Sequence, residues 1–182
     1  MSLKDEIKSA CGLEVQSISS LSGGCVGEVY RGRLSDGADV VVKVDRGAKP
    51  NLDIEGYMLE YLAANSRLPV PQVIHSEPKL LIMEFVPGSS SFTAKAEEHA
   101  AELLTELHRV SAPTFGLERD TLIGSLHQPN TKTDSWIAFF RDHRLLAMAN
   151  QACKANRLND RMMKRVAAFA ETLQDRLGEP EH

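Results

Sequence analysis

Three groups of residues in this sequence have types and spacings suited to holding phosphate. The first is the run Ser22-Gly23-Gly24-Cys25-Val26-Gly27-Glu28-Val29-Tyr30. Its glycines let backbone N–H groups approach a phosphate closely and take up positive φ without penalty. The second is Lys43, a charge inside the β-branched run Val40-Val41-Val42-Lys43-Val44, with Glu55 twelve positions further on. A strand lysine can neutralise phosphate oxygens, and a helix glutamate paired with it keeps it in place. Glu55 shares a helical face with Met58, Leu59 and Leu62, where a carboxylate is costly unless paired. Each group also has a plainer reading. The glycines serve any hairpin turn, and Lys43 could end in solvent, with Glu60 a competing acid on the same helix.

The third group is the apolar run Leu80-Leu81-Ile82-Met83-Glu84-Phe85-Val86, which ends in the bend Pro87-Gly88. In a kinase-like arrangement the Glu84 carbonyl and the Val86 N–H would bind an adenine edge, with Met83 at the back of the pocket. A fifth buried strand followed by a linker is the alternative. The glycine turn is neither a Walker A loop, lacking Gly-Lys-Ser/Thr, nor a Rossmann fingerprint, because a strand follows it. Glycine turn, strand lysine, helix glutamate and apolar strand come in the order of a kinase-like nucleotide lobe.

Those residues need particular elements to position them. A short helix is expected over Leu3–Cys11, then strands over Val15–Leu21, Glu28–Leu34 and Asp39–Val44. Asp36-Gly37 marks the hairpin between the last two. Leu52–Ala64 reads as a helix, with Ile54, Tyr57, Met58, Tyr61 and Leu62 at helical spacing and Asn51 as its N-cap; Pro69 and Pro71 stop it. Strands over Gln72–Ser76 and Leu80–Val86 follow, and Pro87-Gly88 with the serines to Ser91 reads as a hinge. From Ala94 the texture is helical. Ala96, Ala100, Leu103, Leu104, Leu107 and Val110 form one stripe, Trp136–Ala149 reads as a buried helix, and Met162 to Leu177 forms a third stripe. The expectation is an α+β, protein-kinase-like fold: a five-stranded N-lobe with one main helix over residues 1–87, and the first helices of a helical C-lobe over residues 88–182.

Composition sets outer bounds. The 182 residues are 42% hydrophobic and 25% charged, as in ordinary globular proteins. A net charge of −4 gives no electrostatic footprint for nucleic acid. No apolar run reaches the ~20 residues of a membrane helix, and the start lacks a secretory segment, so a cytoplasmic protein is expected. Cys11, Cys25 and Cys153 are too few and scattered for a disulfide framework or zinc site, and no metal site is assigned.

The sequence resembles the fructosamine kinase (ketosamine-3-kinase) family, within the aminoglycoside-phosphotransferase-like kinases. The matching stretches are SGGCVGEVYRG, VVVKVD, IEGYMLEYLAA, LPVPQVIHSEPKLLIMEFVPG and AAELLTELHRV. FGLERDTLIGSLHQPNTKTDSWIAFFRDHRL is the part that separates this family from generic small-molecule kinases. The resemblance runs from about Cys11 to Gly178. It implies ATP-dependent phosphorylation of a sugar hydroxyl on a glycated amine or protein. Gly23, Gly24, Cys25 and Gly27 would cover the phosphates, Lys43 would bind them, Glu55 would orient Lys43, and Met83, Glu84 and Val86 would hold adenine. Family members also carry an HGDLW-type loop with the aspartate base and a later aspartate for Mg2+. Neither string occurs here, so the resemblance implies a catalytic Asp and magnesium ligands beyond His182 and a chain inactive in phosphotransfer. Asp134 and Asp142 read as helix-surface or cap residues.

Two expectations concern association. Trp136, Phe139 and Phe140 read as core, yet in a chain lacking the rest of a helical lobe they would form an apolar patch favouring self-association. Cys25 has two readings: a redox-sensitive thiol favoured by clustered N–H groups, which the resemblance links to disulfide-joined homodimers, or a small residue filling a turn. Two other functions stay open: a kinase for another small hydroxyl substrate such as an aminoglycoside, and a non-catalytic nucleotide-binding or interaction module.

Overall fold

Alternation along one strand decides how the first half of the chain is built. In β3 (Asp39–Val44), Val40, Val42 and Val44 are buried while Val41 and Lys43 point the other way. The period of two sends the apolar set to one face and the lysine to the opposite one. The computed structural model describes residues 2–21, 27–88 and 92–180. Five strands form one antiparallel sheet in the order β1-β2-β3-β5-β4, comprising β1 (Val15–Ser20), β2 (Glu28–Leu34), β3, β4 (Val73–Glu77) and β5 (Leu80–Glu84). The chain reaches β5 from β3 through α2 (Leu52–Asn65) and the edge strand β4. All five strands, the main helix and the kinase-like architecture are as expected, although β5 stops at Glu84 rather than Val86.

Each face of the sheet has its own cover. On one, α1 (Leu3–Cys11) places Ile7, fully buried, against Leu34, Val40, Val42, Val44, Leu80 and Ile82. A capping box between Ser2 and Asp5 starts α1, and Gly12 ends it at φ 73°. Burial also pushes the Cys11 thiol above its ordinary value. On the other face, Leu52 of α2 packs with Leu81 and Met83, flanked by Val41, Leu59 and Val73. The Asn51 side chain makes no capping bond. Instead the Pro78 carbonyl accepts from the Leu52 N–H at 3.1 Å and the Asn51 carbonyl from the Ile54 N–H at 3.0 Å, so backbone carbonyls take the place of the expected side-chain cap.

The first compact unit extends to Val110 and includes α3 (Ala94–Leu107), and the second begins at Ser111. One link is the Arg67–Glu106 ion pair between the segment after α2 and the end of α3, at 3.4 Å. The stripe expected on α3 exists in sequence, but no residue of this helix is buried.

The second unit contains an element too short to read in advance. Strands β6 (Thr121–Ile123) and β7 (Leu126–Gln128) pair as a hairpin around Gly124. The expected buried helix runs from Trp136 to Lys154 as α4 (Trp136–Phe139), a π-helical stretch (Phe140–Leu146) and α5 (Ala147–Lys154). Phe139 is buried and acts as core, whereas Trp136, stacked on it with ring centroids 5.9 Å apart, and Phe140 are only half-buried. Within the last stripe, α6 (Asp160–Ala170) is capped by Asn159 and gives way to a short 3-10 turn at Leu173–Asp175. Among the described residues no helix is long and apolar enough to cross a membrane, and no cluster of three potential metal ligands is present.

Candidate functional site

The rows that cross the sheet place the site. Lys43 lies opposite Val29 on β2 and Leu81 on β5; one pair further along, Val41 lies opposite Arg31 and Met83. Directly opposed residues share a face. Lys43, Val41, Leu81 and Met83 therefore sit on the α2 side of the sheet. There the Lys43 ammonium donates to both Glu55 oxygens, at 2.7 Å to Oε1 and 2.6 Å to Oε2. The lysine side chain is 17% exposed and the glutamate 35%, so the pair is half-sheltered and still open to a ligand. The acid that the spacing favoured is the one engaged, and Glu60 lies on the exposed side of the helix.

Gly23, Gly24 and Cys25 lie outside the described residues. Gly27 lies within them, at φ 72°, and a Cβ there would stand 2.5 Å from the Val44 carbonyl oxygen. This glycine thus lets the chain entering β2 lie close against the end of β3, next to Lys43. Gly27→Ala meets both a left-handed backbone and a backbone clash, which together cost about 3 kcal/mol. Urea unfolding should show a clearly lowered midpoint; an unchanged midpoint would contradict the placement.

Past Glu84 the chain leaves the sheet with two of its amides committed. The Glu84 N–H donates to the Gln72 carbonyl at 2.9 Å and the Phe85 N–H to the Asp39 carbonyl at 3.2 Å. Among the described residues the Val86 N–H has no backbone acceptor, and its side chain is exposed. Met83 is buried behind this edge against Val41 and Val73. A feature not expected from sequence borders it: the Arg31 guanidinium lies 4.1 Å from the Phe85 ring centroid and bonds Asp39 at 2.6 Å. Arg31 and Arg33 hold the Asp39 carboxyl below the usual carboxylate range. Alternation in β2 could have placed both arginines on this face, whereas the pairing with Phe85 depends on where β5 ends.

In the second unit, residues far apart in sequence meet around Asn130, which is 1% exposed. Its side-chain amide donates to Thr121 Oγ1 at 2.8 Å and to the Arg119 carbonyl at 3.0 Å, and its Oδ1 accepts from Arg144 at 2.7 Å. Arg144 also donates to the Pro129 carbonyl at 2.6 Å and lies over the Phe139 ring at 4.4 Å. Gly116, at φ 116°, allows the Phe115–Leu117 segment to approach the Asn130 backbone, where a Cβ would come within 2.6 Å of a carbonyl oxygen. Asp142 is engaged by Arg141, which lowers its carboxyl's affinity for protons and leaves it a helix-surface residue.

The family model for fructosamine kinase matches residues 2–181. The chain belongs to the fructosamine kinase family. It is 33% identical over 150 residues to a protein of Synechocystis named as a probable ketoamine kinase, covering 75% of this chain and 49% of that one. It is 29% identical over 140 residues to the chloroplastic protein-ribulosamine 3-kinase of Arabidopsis thaliana, covering 72% of this chain and 42% of that one. A provisionally named fructosamine-3-kinase from Thermobifida fusca superposes with a TM-score of 0.84 at 28% identity, over 99% of this chain and 64% of the other. The ADP-bound aminoglycoside phosphotransferase APH(2'')-Ib shares the fold, with a TM-score of 0.52 at 16% identity over 94% of this chain and 57% of its own. The chain spans about half the length of the curated relatives it matches.

Proposed function

We propose that this chain is the nucleotide-binding portion of an ATP-dependent kinase that phosphorylates a sugar hydroxyl on a glycated amine or protein. The observation carrying this reading is the two-pronged Lys43–Glu55 pair on the sheet face that also presents Val41 and Met83. A fixed ammonium beside an apolar shelf suits a ligand with a charged phosphate end and a flat apolar end. Lys43 would hold the α- and β-phosphates, with Glu55 limiting its freedom. Gly27, together with Gly23, Gly24 and Cys25, would cover the phosphates. Met83 would back the adenine, while the Glu84 carbonyl and Val86 N–H would meet its edge. When bound, ATP supplies the phosphoryl group; the residues named here supply position and charge neutralisation.

Family membership and the names of the relatives support a ketoamine substrate. The His-Gly-Asp string that carries the base in the resemblance does not occur among these 182 residues, so neither the base nor a Mg2+ ligand is assigned to a residue of this chain. A cytoplasmic setting, where ATP is supplied, belongs to the same reading. Titration with magnesium-ATP tests it directly. The melting temperature should rise steadily with ligand concentration, as for any ligand that binds only the folded state. No shift at millimolar nucleotide would refute the reading.

A further inference from the structure

We infer that Gly56 is a positioning residue for the lysine–glutamate pair, through a close helix–strand contact that no side chain larger than hydrogen permits. The inference rests on the nucleotide-site reading above. Gly56 is buried in the first half of α2, directly after Glu55. A Cβ at this position would stand 2.1 Å from Ser76 Oγ and 2.8 Å from Ser76 Cβ on β4, and 3.3 Å from Leu81 Cδ1 on β5. Ordinary carbon contacts are about 3.5–4.0 Å, so an alanine forces α2 away from the sheet by roughly an ångström unless Ser76 yields. Glycine inside a helix is disfavoured relative to alanine, so its presence here matches a need for close approach.

The same contact reaches the lysine. Leu81, whose Cδ1 a Cβ at Gly56 would crowd, is the strand partner of Lys43. The peptide that carries Glu55 is therefore held at one distance from the strand row that carries Lys43. Bonds of 2.6 and 2.7 Å have little slack, and a shift of about an ångström takes both beyond hydrogen-bond range. Lys43 would then be free to reorient, and the nucleotide would have to immobilise it on binding.

The test is a double-mutant cycle on magnesium-ATP affinity, read by calorimetry with far-UV circular dichroism as the folding control. Gly56→Ala should weaken binding about tenfold. In a Lys43→Ala background the same substitution should have no further effect, because its influence passes through the lysine. Gly56→Ala combined with Ser76→Gly should restore affinity by vacating the clash. Should Gly56→Ala not fold, Ser76→Thr, which adds bulk on the facing side of the same contact, enters the cycle in its place. Unchanged affinity in Gly56→Ala while Lys43→Ala binds weakly would overturn the inference and leave the site reading standing. A loss that persists in the Lys43→Ala background would overturn it too, by exposing a merely structural effect. Unchanged affinity in Lys43→Ala would instead defeat the site reading and this inference with it.

Discussion

Lys43→Ala should weaken magnesium-ATP binding about a hundredfold while hardly changing the stability of the fold. A charge-assisted hydrogen bond contributes about 1.5–3 kcal/mol, and 1.4 kcal/mol is a tenfold change in affinity, so loss of the phosphate-facing ammonium predicts this size. The stability effect is small for a separate reason. Glu55 is 35% exposed, and once unpaired it can be hydrated where it stands. Discounted for solvent screening, the pair contributes on the order of 1 kcal/mol to folding. Lys43→Arg should not rescue binding, because a guanidinium would turn its fork onto the two Glu55 oxygens and leave no compact charge free for the phosphates. Calorimetry alongside thermal melting separates the two quantities. A large drop in melting temperature with unchanged affinity would reverse the assignment and make the pair structural.

Arg144→Ala should loosen the second unit by about 3 kcal/mol, the scale for removing a charged donor that makes two part-buried hydrogen bonds and a cation–π contact. Without the guanidinium, Asn130 Oδ1 and the Pro129 carbonyl lose a donor together, and Phe139 loses the cation above its ring. Burial lowers the arginine's proton affinity, but the group stays charged at any ordinary pH. Arg144→Lys should recover little, since a single ammonium cannot reach two separated acceptors in one plane. Amide hydrogen exchange at Asn130 and Thr133, whose N–H groups donate to Asp120 and to the Phe115 carbonyl, reports the change. Protection there should fall roughly a hundredfold, given 1.4 kcal/mol per tenfold. Protection equal to that of the unaltered chain would contradict the network's role.

Much of the first unit was legible because its signals are local and periodic. Five strands, α1 and α2 follow from alternation, helical spacing and turn residues, and the Lys43–Glu55 partnership follows from spacing and shared face. Other features depend on contacts that no local pattern encodes. The three-residue strands β6 and β7 are too short for alternation to register. The π-helical stretch at Phe140–Leu146 has the composition of an ordinary helix. The apolar stripe on α3 promised burial, but a stripe shows only that a face could be covered. Asn51 has the right side chain for a cap, yet carbonyls of Pro78 and Asn51 itself take the first amides. Gly56 carries no local signal of its own, because what excludes a side chain there is Ser76, twenty positions away in sequence.

Val40, Val42 and Val44 serve the α1 side while Val41 and Lys43 serve the other, so core and site occupy alternate places on a single strand. A slip of one residue in its pairing with β2 or β5 would carry Lys43 into the apolar layer beside Ile7 and turn three valines outward. The burial cost of the unpaired ammonium opposes that error in addition to the loss of valine packing. Misregistration therefore damages stability and binding together, and a molecule that has assembled its α1-side core has, by the same parity, already turned Lys43 toward Glu55. Selection for a well-packed sheet thereby guards the binding site against misfolded but otherwise stable copies.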